Sequence, residues 1–180
     1  MEIVTKLEDR FRLLEIAEVR GKTLLDIGTG PLAMIAARDF DCRVTSVDVS
    51  DEALQKAREE AEKEHININF EREDATDLSY EDNSFDIAIS YGALHHVSSL
   101  ESRRDFVREA YRVASEKVII ADFNETGFPH SADEYKIVDF NWLEGELALL
   151  SKIEKYEGDK INLYICNKEK DTSISVSRRI

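Results

Sequence analysis

The chain has 180 residues, 42% of them hydrophobic, enough to bury one core while leaving little room for a second domain. Its formal net charge of −14 and pI near 4.7 create a field that repels phosphate backbones and anionic headgroups, disfavouring non-specific nucleic-acid and membrane binding. Cys42 and Cys166 are too few for a disulfide framework and wrongly spaced for zinc, and no run approaches the roughly 18 apolar residues of a membrane span. A cytoplasmic, metal-free, single-domain protein is therefore expected, with an N-terminal helix in residues 1–20, a core over 21–168 and a polar tail at 169–180.

In chain order, Thr5-Lys6-Leu7-Glu8 has capping-box spacing, and Leu7, Phe11 and Leu14 then share one helical face, which predicts an amphipathic helix over residues 5–19. Because it precedes the first strand and has one apolar face, this helix is expected to cover the site and not to build the core. The run Thr23 to Ile27 reads as a strand that stops at Gly28-Thr29-Gly30, with Pro31 in the first turn of the helix that follows. The unit repeats with Arg43 to Asp48 as strand and a helix from the Ser50 cap to Glu64, whose first turn carries Asp51 and Glu52 against the helix dipole.

A third strand is expected from Ile66 to Glu71, a fourth from Phe85 to Ser90 and a fifth from Lys117 to Asp122. Between the last two, a helix opens at Ser98 to Glu101 and turns Phe106, Val107, Ala110 and Tyr111 inward. Ser131 to Glu134 has capping-box spacing and predicts a helix running through Trp142 and Leu147 toward Leu150. Lys152 to Tyr156 and Ile161 to Asn167 flank Glu157-Gly158-Asp159-Lys160 and read as a hairpin. Alternating strand–helix units followed by a hairpin give an α/β fold, a mainly parallel sheet covered on both faces with one antiparallel edge pair.

In such a sheet, ligands bind outside the carboxyl ends of the strands, and four successive strand ends here are polar or glycine-rich. Gly28 and Gly30 let the backbone approach a ligand at a helix N-terminus, while Asp26 places a carboxylate where it suits a positive amine. Asp48 stands at the spacing where an acid accepts from ribose hydroxyls. Asp74 suits an exocyclic amine, and the Ala75 amide a ring nitrogen.

Together these segments resemble the class I S-adenosylmethionine-dependent methyltransferases. Leu24 to Gly30 is similar to that family's first motif, Val47-Asp48 to its second, Glu73 to Leu78 to its third and Phe85-Asp86 to Val97 to its fourth. The resemblance covers roughly residues 21–168 and implies a three-layer Rossmann-like sandwich whose hairpin completes a seven-stranded sheet. It also implies S-adenosylmethionine as cofactor, its methionine part held by Asp26 to Gly30, its ribose by Asp48 and its adenine by Asp74 and Ala75. Ser90 and Tyr91, at the head of the Ser90–Leu94 stretch, would border the sulfonium and the acceptor. The family's frequent third glycine is replaced here by Pro31-Leu32-Ala33.

The Ala93-Leu94-His95-His96-Val97 run is similar to small-molecule methyltransferases of the ubiquinone-biosynthesis type, so a small-molecule acceptor is expected. The Asn/Asp-Pro-Pro-aromatic motif of family members that methylate exocyclic amines of nucleobases or glutamine is absent after strand four, where Ser90-Tyr91-Gly92-Ala93 stands. His95 and His130 are candidate bases for a hydroxyl acceptor, with the pocket formed between Tyr91–His96 and Phe123–Ser131. Two other readings are open. One is a non-catalytic S-adenosylmethionine-binding or interaction module. The other is a nicotinamide-dependent oxidoreductase, since Gly28 to Ala33 fits G-x-G-x-x-A and Tyr156 and Lys160 stand four residues apart.

Overall fold

The computed structural model describes residues 2–3, 6–128 and 135–169. Its strands are β1 (Glu2–Ile3), β2 (Thr23–Ile27), β3 (Arg43–Asp48), β4 (Asn69–Arg72), β5 (Phe85–Tyr91), β6 (Ala114–Phe123), β7 (Lys152–Glu157) and β8 (Ile161–Asn167). The helices are α1 (Arg10–Ile16), α2 (Pro31–Asp39), α3 (Asp51–Lys63), α4 (Leu100–Val113) and α5 (Phe140–Leu150). The strands form one sheet in the order β1-β7-β8-β6-β5-β2-β3-β4. The seven strands expected are present, and the two-residue β1 adds a parallel edge beside β7. β8 runs antiparallel to both β6 and β7, and every other pairing is parallel. Strand order reverses between β2 and β5, and the crevice outside their carboxyl ends is where this topology receives ligands.

Two cores follow from the period-2 alternation of the strands. Leu24, Val44, Ile87, Ile89 and Ile119 face one side, where they meet Leu13 and Leu14 of α1 and Leu32 and Ala36 of α2. Leu25, Val47, Ala88, Val118 and Ile120 face the other, against Phe106 and Val107 of α4 and Leu143 and Leu147 of α5.

The N-terminal helix departs from expectation in extent and in role. Lys6 has φ 61, outside the right-handed helical region, and Asp9 accepts from Phe11 N at 3.0 Å, so the helix begins at Arg10. Thr5 lies outside the described residues. Leu7, Leu13, Leu14 and Ala17 are fully buried in the first core. Each such leucine contributes roughly 1.5–3 kcal/mol of burial, so this segment is a core element and not a removable cover.

Two other boundaries move for local reasons. Ile66 N donates to Ala61 O at 2.9 Å and His65 has φ 57, which ties Ile66 to the end of α3 and delays β4 to Asn69. Toward α5, Arg103 holds the Lys136 and Ile137 carbonyls, and the chain stays non-helical until Asp139 accepts from Asn141 N and Trp142 N. The capping box at Ser131 to Glu134 lies outside the described residues. Tyr156 stands in β7 and Lys160 in the following turn, so the helical Tyr–Lys pair of a reductase does not form.

Candidate functional site

Two loops interlock at the switch point. Gly28, after β2, has φ +91, and a Cβ there would lie 2.5 Å from the Ala93 Cβ. Gly92, after β5, has φ +66, and its Cβ would lie 2.9 Å from the Phe123 ring. At both positions only glycine combines the left-handed backbone with the close approach. Gly30 differs: its φ of −179 is open to any residue and nothing stands within 4 Å of its Cβ position. Space for something lying against the N-terminus of α2 therefore accounts better for this glycine than backbone geometry does.

The loops separate two cavities that share Gly28. The larger, about 420 Å³, is lined by Asp48, Val49, Glu73, Ala75, His96 and Tyr135 among others. Asp48 is held rigidly, with Oδ2 accepting from Thr29 N at 3.2 Å and Oδ1 from Ser50 N at 2.9 Å. The smaller, about 170 Å³, is lined by Arg10, Asp26, Thr29, Gly30, Tyr91 and Phe123 among others. Asp26 is 1% exposed. Its Oδ2 accepts from Ser46 Oγ at 2.7 Å, and its Oδ1 is enclosed without a hydrogen-bond partner. Burial, opposed by the Ser46 hydrogen bond, pushes the Asp26 carboxyl up to about 7; the Asp48 charge raises it further and the Arg10 charge lowers it.

Other sequence candidates fall out unequally. Ala75 and Tyr91 line the cavities, and Ser90 is buried with its Oγ unpartnered. Asp74 is exposed, and its Oδ1 accepts from Thr76 N and Thr76 Oγ1 at 2.9 and 2.7 Å, bonds that hold its carboxyl below the usual range. His95 is buried; its Nδ1 lies 2.8 Å from Asp122 Oδ1 and its backbone N donates to Asp122 Oδ2 at 3.2 Å. Phe123, Phe128 and Tyr135 pack edge-on around that imidazole. His130 lies outside the described residues, as does the end of the Phe123–Ser131 loop. Among the described residues no three His, Cys, Asp or Glu side chains gather as a metal site.

Arg10 and Tyr135 were not legible as site residues: each reaches the rim by packing from a distant segment, and no motif marks them. Glu73 stands inside the third motif but was not singled out as a lining residue. Arg103 supports that rim from below, donating to the carbonyls of His95 and Val97 on one side and of Lys136 and Ile137 on the other.

This geometry suits a nucleoside with a charged amino-acid tail. The larger cleft offers a fixed carboxylate, Asp48, and apolar walls, and the smaller pocket holds an orphaned carboxylate oxygen that a cation would satisfy. Fold and site thus define a Rossmann-like nucleotide-cofactor domain. The chain belongs to the methyltransferase domain family, whose profile matches residues 25–117, the stretch that carries the S-adenosylmethionine motifs.

Among curated relatives, 27-O-demethylrifamycin SV methyltransferase of Amycolatopsis mediterranei is 35% identical over 117 residues, 62% of this chain and 41% of that one. Demethylmenaquinone methyltransferase of Bacteroides fragilis is 32% identical over 100 residues, 52% of this chain and 39% of that one. The chain thus spans less than half the length of these relatives. A solved structure of a Pyrococcus horikoshii protein is similar in fold, with a TM-score of 0.74 and 21% identity, covering 91% of this chain and 92% of that one.

Proposed function

We propose that this protein binds S-adenosylmethionine across the two cavities and transfers its methyl group to a small organic acceptor. The observation that carries the reading is the pairing, through Gly28, of a nucleoside-sized cleft with a small pocket holding a buried, half-satisfied carboxylate. When bound, the donor supplies a methyl on a positively charged sulfur, open to in-line displacement by the acceptor.

The chain's own part is mainly binding and alignment. Asp48, already oriented by Thr29 N and Ser50 N, accepts from the ribose hydroxyls. The Ala75 amide and the free edge of Asp74 serve the adenine. Asp26 takes the ammonium of the amino-acid end, and Ser90 and Tyr91 border the sulfonium. The relatives named above are methyltransferases of 27-O-demethylrifamycin SV and of demethylmenaquinone, which supports a small-molecule acceptor here.

Where the acceptor is a hydroxyl, His95 is the base this reading favours. Its Nδ1 stands 2.8 Å from Asp122 Oδ1, so a buried carboxylate orients the ring. The aromatic cluster of Phe123, Phe128 and Tyr135 must part for an acceptor to reach it. No helix among the described residues is long and apolar enough to cross a membrane.

Calorimetry with S-adenosylhomocysteine and with reduced nicotinamide dinucleotide tests the donor, with micromolar binding of the first and none of the second expected. The reverse pattern would reject the reading. A labelled-methyl screen against small hydroxyl and amine compounds then tests transfer. On a hydroxyl acceptor, His95→Gln should lower turnover by roughly 10²–10⁴-fold while leaving the donor's Kd unchanged. Unchanged turnover would leave His95 a structural residue.

A further inference from the structure

Arg103, in the first turns of α4, is 6% exposed, and no carboxylate forms an ion pair with it among the described residues. Its hydrogen bonds all go to main-chain carbonyls. Nε donates to Val97 O at 2.8 Å and Nη2 to His95 O at 3.4 Å, in the turn that follows β5. Nη2 also donates to Lys136 O at 2.6 Å and Nη1 to Ile137 O at 3.4 Å, in the stretch that leads to α5. Burial holds the guanidinium below its usual range, opposed by the Asp122 charge.

A buried charge costs desolvation, and an apolar side chain would fill the same space more cheaply. What the arginine adds is reach. A planar fork of donors grips two segments distant in sequence, where the single ammonium of a lysine could serve only one. The gripped carbonyls lie on either side of His96 and directly after Tyr135. Those two rings meet with centres 4.4 Å apart at 74°, and both line the 420 Å³ cleft. Arg103 stands behind them and outside the lining.

We propose that Arg103 is a positioning residue for the larger cleft: it fixes Tyr135 against His96 as the outer wall and so sets how tightly a nucleoside is held. This rests on the S-adenosylmethionine reading and extends it to a side chain that touches no ligand. Tyr135 is the more dependent of the two rings. The turn that carries His96 has bonds of its own, His96 N to Ala93 O and Val97 N to Leu94 O. The chain from Tyr135 to Val138 is in no helix or strand, and Arg103 holds two of its carbonyls. Without the guanidinium, Tyr135 leaves the cleft and His96 stays.

The test is calorimetry with S-adenosylhomocysteine and 5′-methylthioadenosine on the wild-type chain, Arg103→Lys, Tyr135→Ala and the double variant. Each single change should weaken both ligands by about five- to thirtyfold. The double variant should bind no more weakly than Tyr135→Ala, because Arg103 acts through that ring, whereas a residue that only supports the fold would add its own loss. Losses that multiply overturn the proposal, as does a loss confined to S-adenosylhomocysteine, which would put the effect at the amino-acid end. Arg103→Met keeps an unbranched side chain and removes the donors, so the same cycle run on it decides the matter if Arg103→Lys does not fold. Wild-type affinity in Tyr135→Ala, or in a folded Arg103 variant, overturns this proposal alone. A wild-type chain that binds neither ligand overturns the donor reading and this proposal with it.

Discussion

The two cavities on either side of Gly28 are built by different means. The larger cleft is built from backbone, apolar walls and one pre-oriented carboxylate whose oxygens are already engaged by Thr29 N and Ser50 N. The smaller pocket is built from charge held out of water, with Asp26 Oδ1 and Arg10 Nε both unpartnered. The first is organised before any ligand arrives and gains shape-matched contacts. The second carries a standing electrostatic cost that a ligand relieves, so it discriminates more sharply by charge and responds to pH.

The largest effect should come from the shared wall. Gly28→Val forces a β-branched residue into a left-handed backbone and drives its side chain into Ala93. Strain of about 1–3 kcal/mol and overpacking of about 1–3 kcal/mol should lower the melting temperature and abolish binding on both sides. A variant that still binds S-adenosylhomocysteine at wild-type strength would show that the two loops are not interlocked in solution.

Asp48→Ala should weaken binding by about 1–3 kcal/mol, because it strips the proposed ribose acceptor and leaves Thr29 N and Ser50 N without their partner. The loss should be the same for S-adenosylhomocysteine and for 5′-methylthioadenosine, since both carry the ribose. Unequal losses in calorimetry would mean that Asp48 serves the amino-acid end.

Asp26→Asn should give the smallest change at neutral pH and the most informative one across a pH series. Four influences set Asp26: burial, the Ser46 hydroxyl from β3, the Asp48 charge from the end of β3 and the Arg10 charge from α1. With its carboxyl at about 7, the free protein holds a proton there at lower pH, and an ammonium ligand must displace it. Affinity for S-adenosylhomocysteine should therefore rise as pH climbs through about 7 and level off above. The Asn variant should lack that slope and bind more weakly at pH above 7.

Folding stability should show the opposite trend. The folded state keeps a proton that the unfolded chain releases near the ordinary carboxylate value of 3.8, so stability falls as pH rises from there to about 7. That decline too should vanish in Asp26→Asn. A wild-type affinity flat between pH 6 and 8 would show that Asp26 is ionised throughout.

The larger cleft was much more legible in the sequence than the smaller pocket, and the physical reason is range. Gly28 and Asp48 sit where a strand stops and Ala75 three residues beyond one, and a strand's end is marked locally by the change from apolar run to glycine or acid. The hydrophobic alternation likewise announced the sheet and its terminal hairpin. Arg10 and Tyr135 enter through packing between segments that are distant in sequence, which no local pattern records. The N-terminal helix was misread for a related reason: a single apolar face looks the same whether it lies on the core or over a cleft, and only Leu13 and Leu14 at 0% exposure decide between them. Asp74, which the third motif singled out, has its Oδ1 engaged by Thr76 and does not line the larger cleft, where its neighbours Glu73 and Ala75 do.

The contact between Gly28 and Ala93 binds two positions 65 residues apart into one heritable unit. Position 28 is confined to glycine by its backbone, so position 93 has a size limit set from across the crevice, whatever ligand the crevice holds. A lineage adapting this scaffold to bulkier acceptors would have to widen the pocket elsewhere, at Phe123 or Tyr135, and leave the 28–93 contact unchanged.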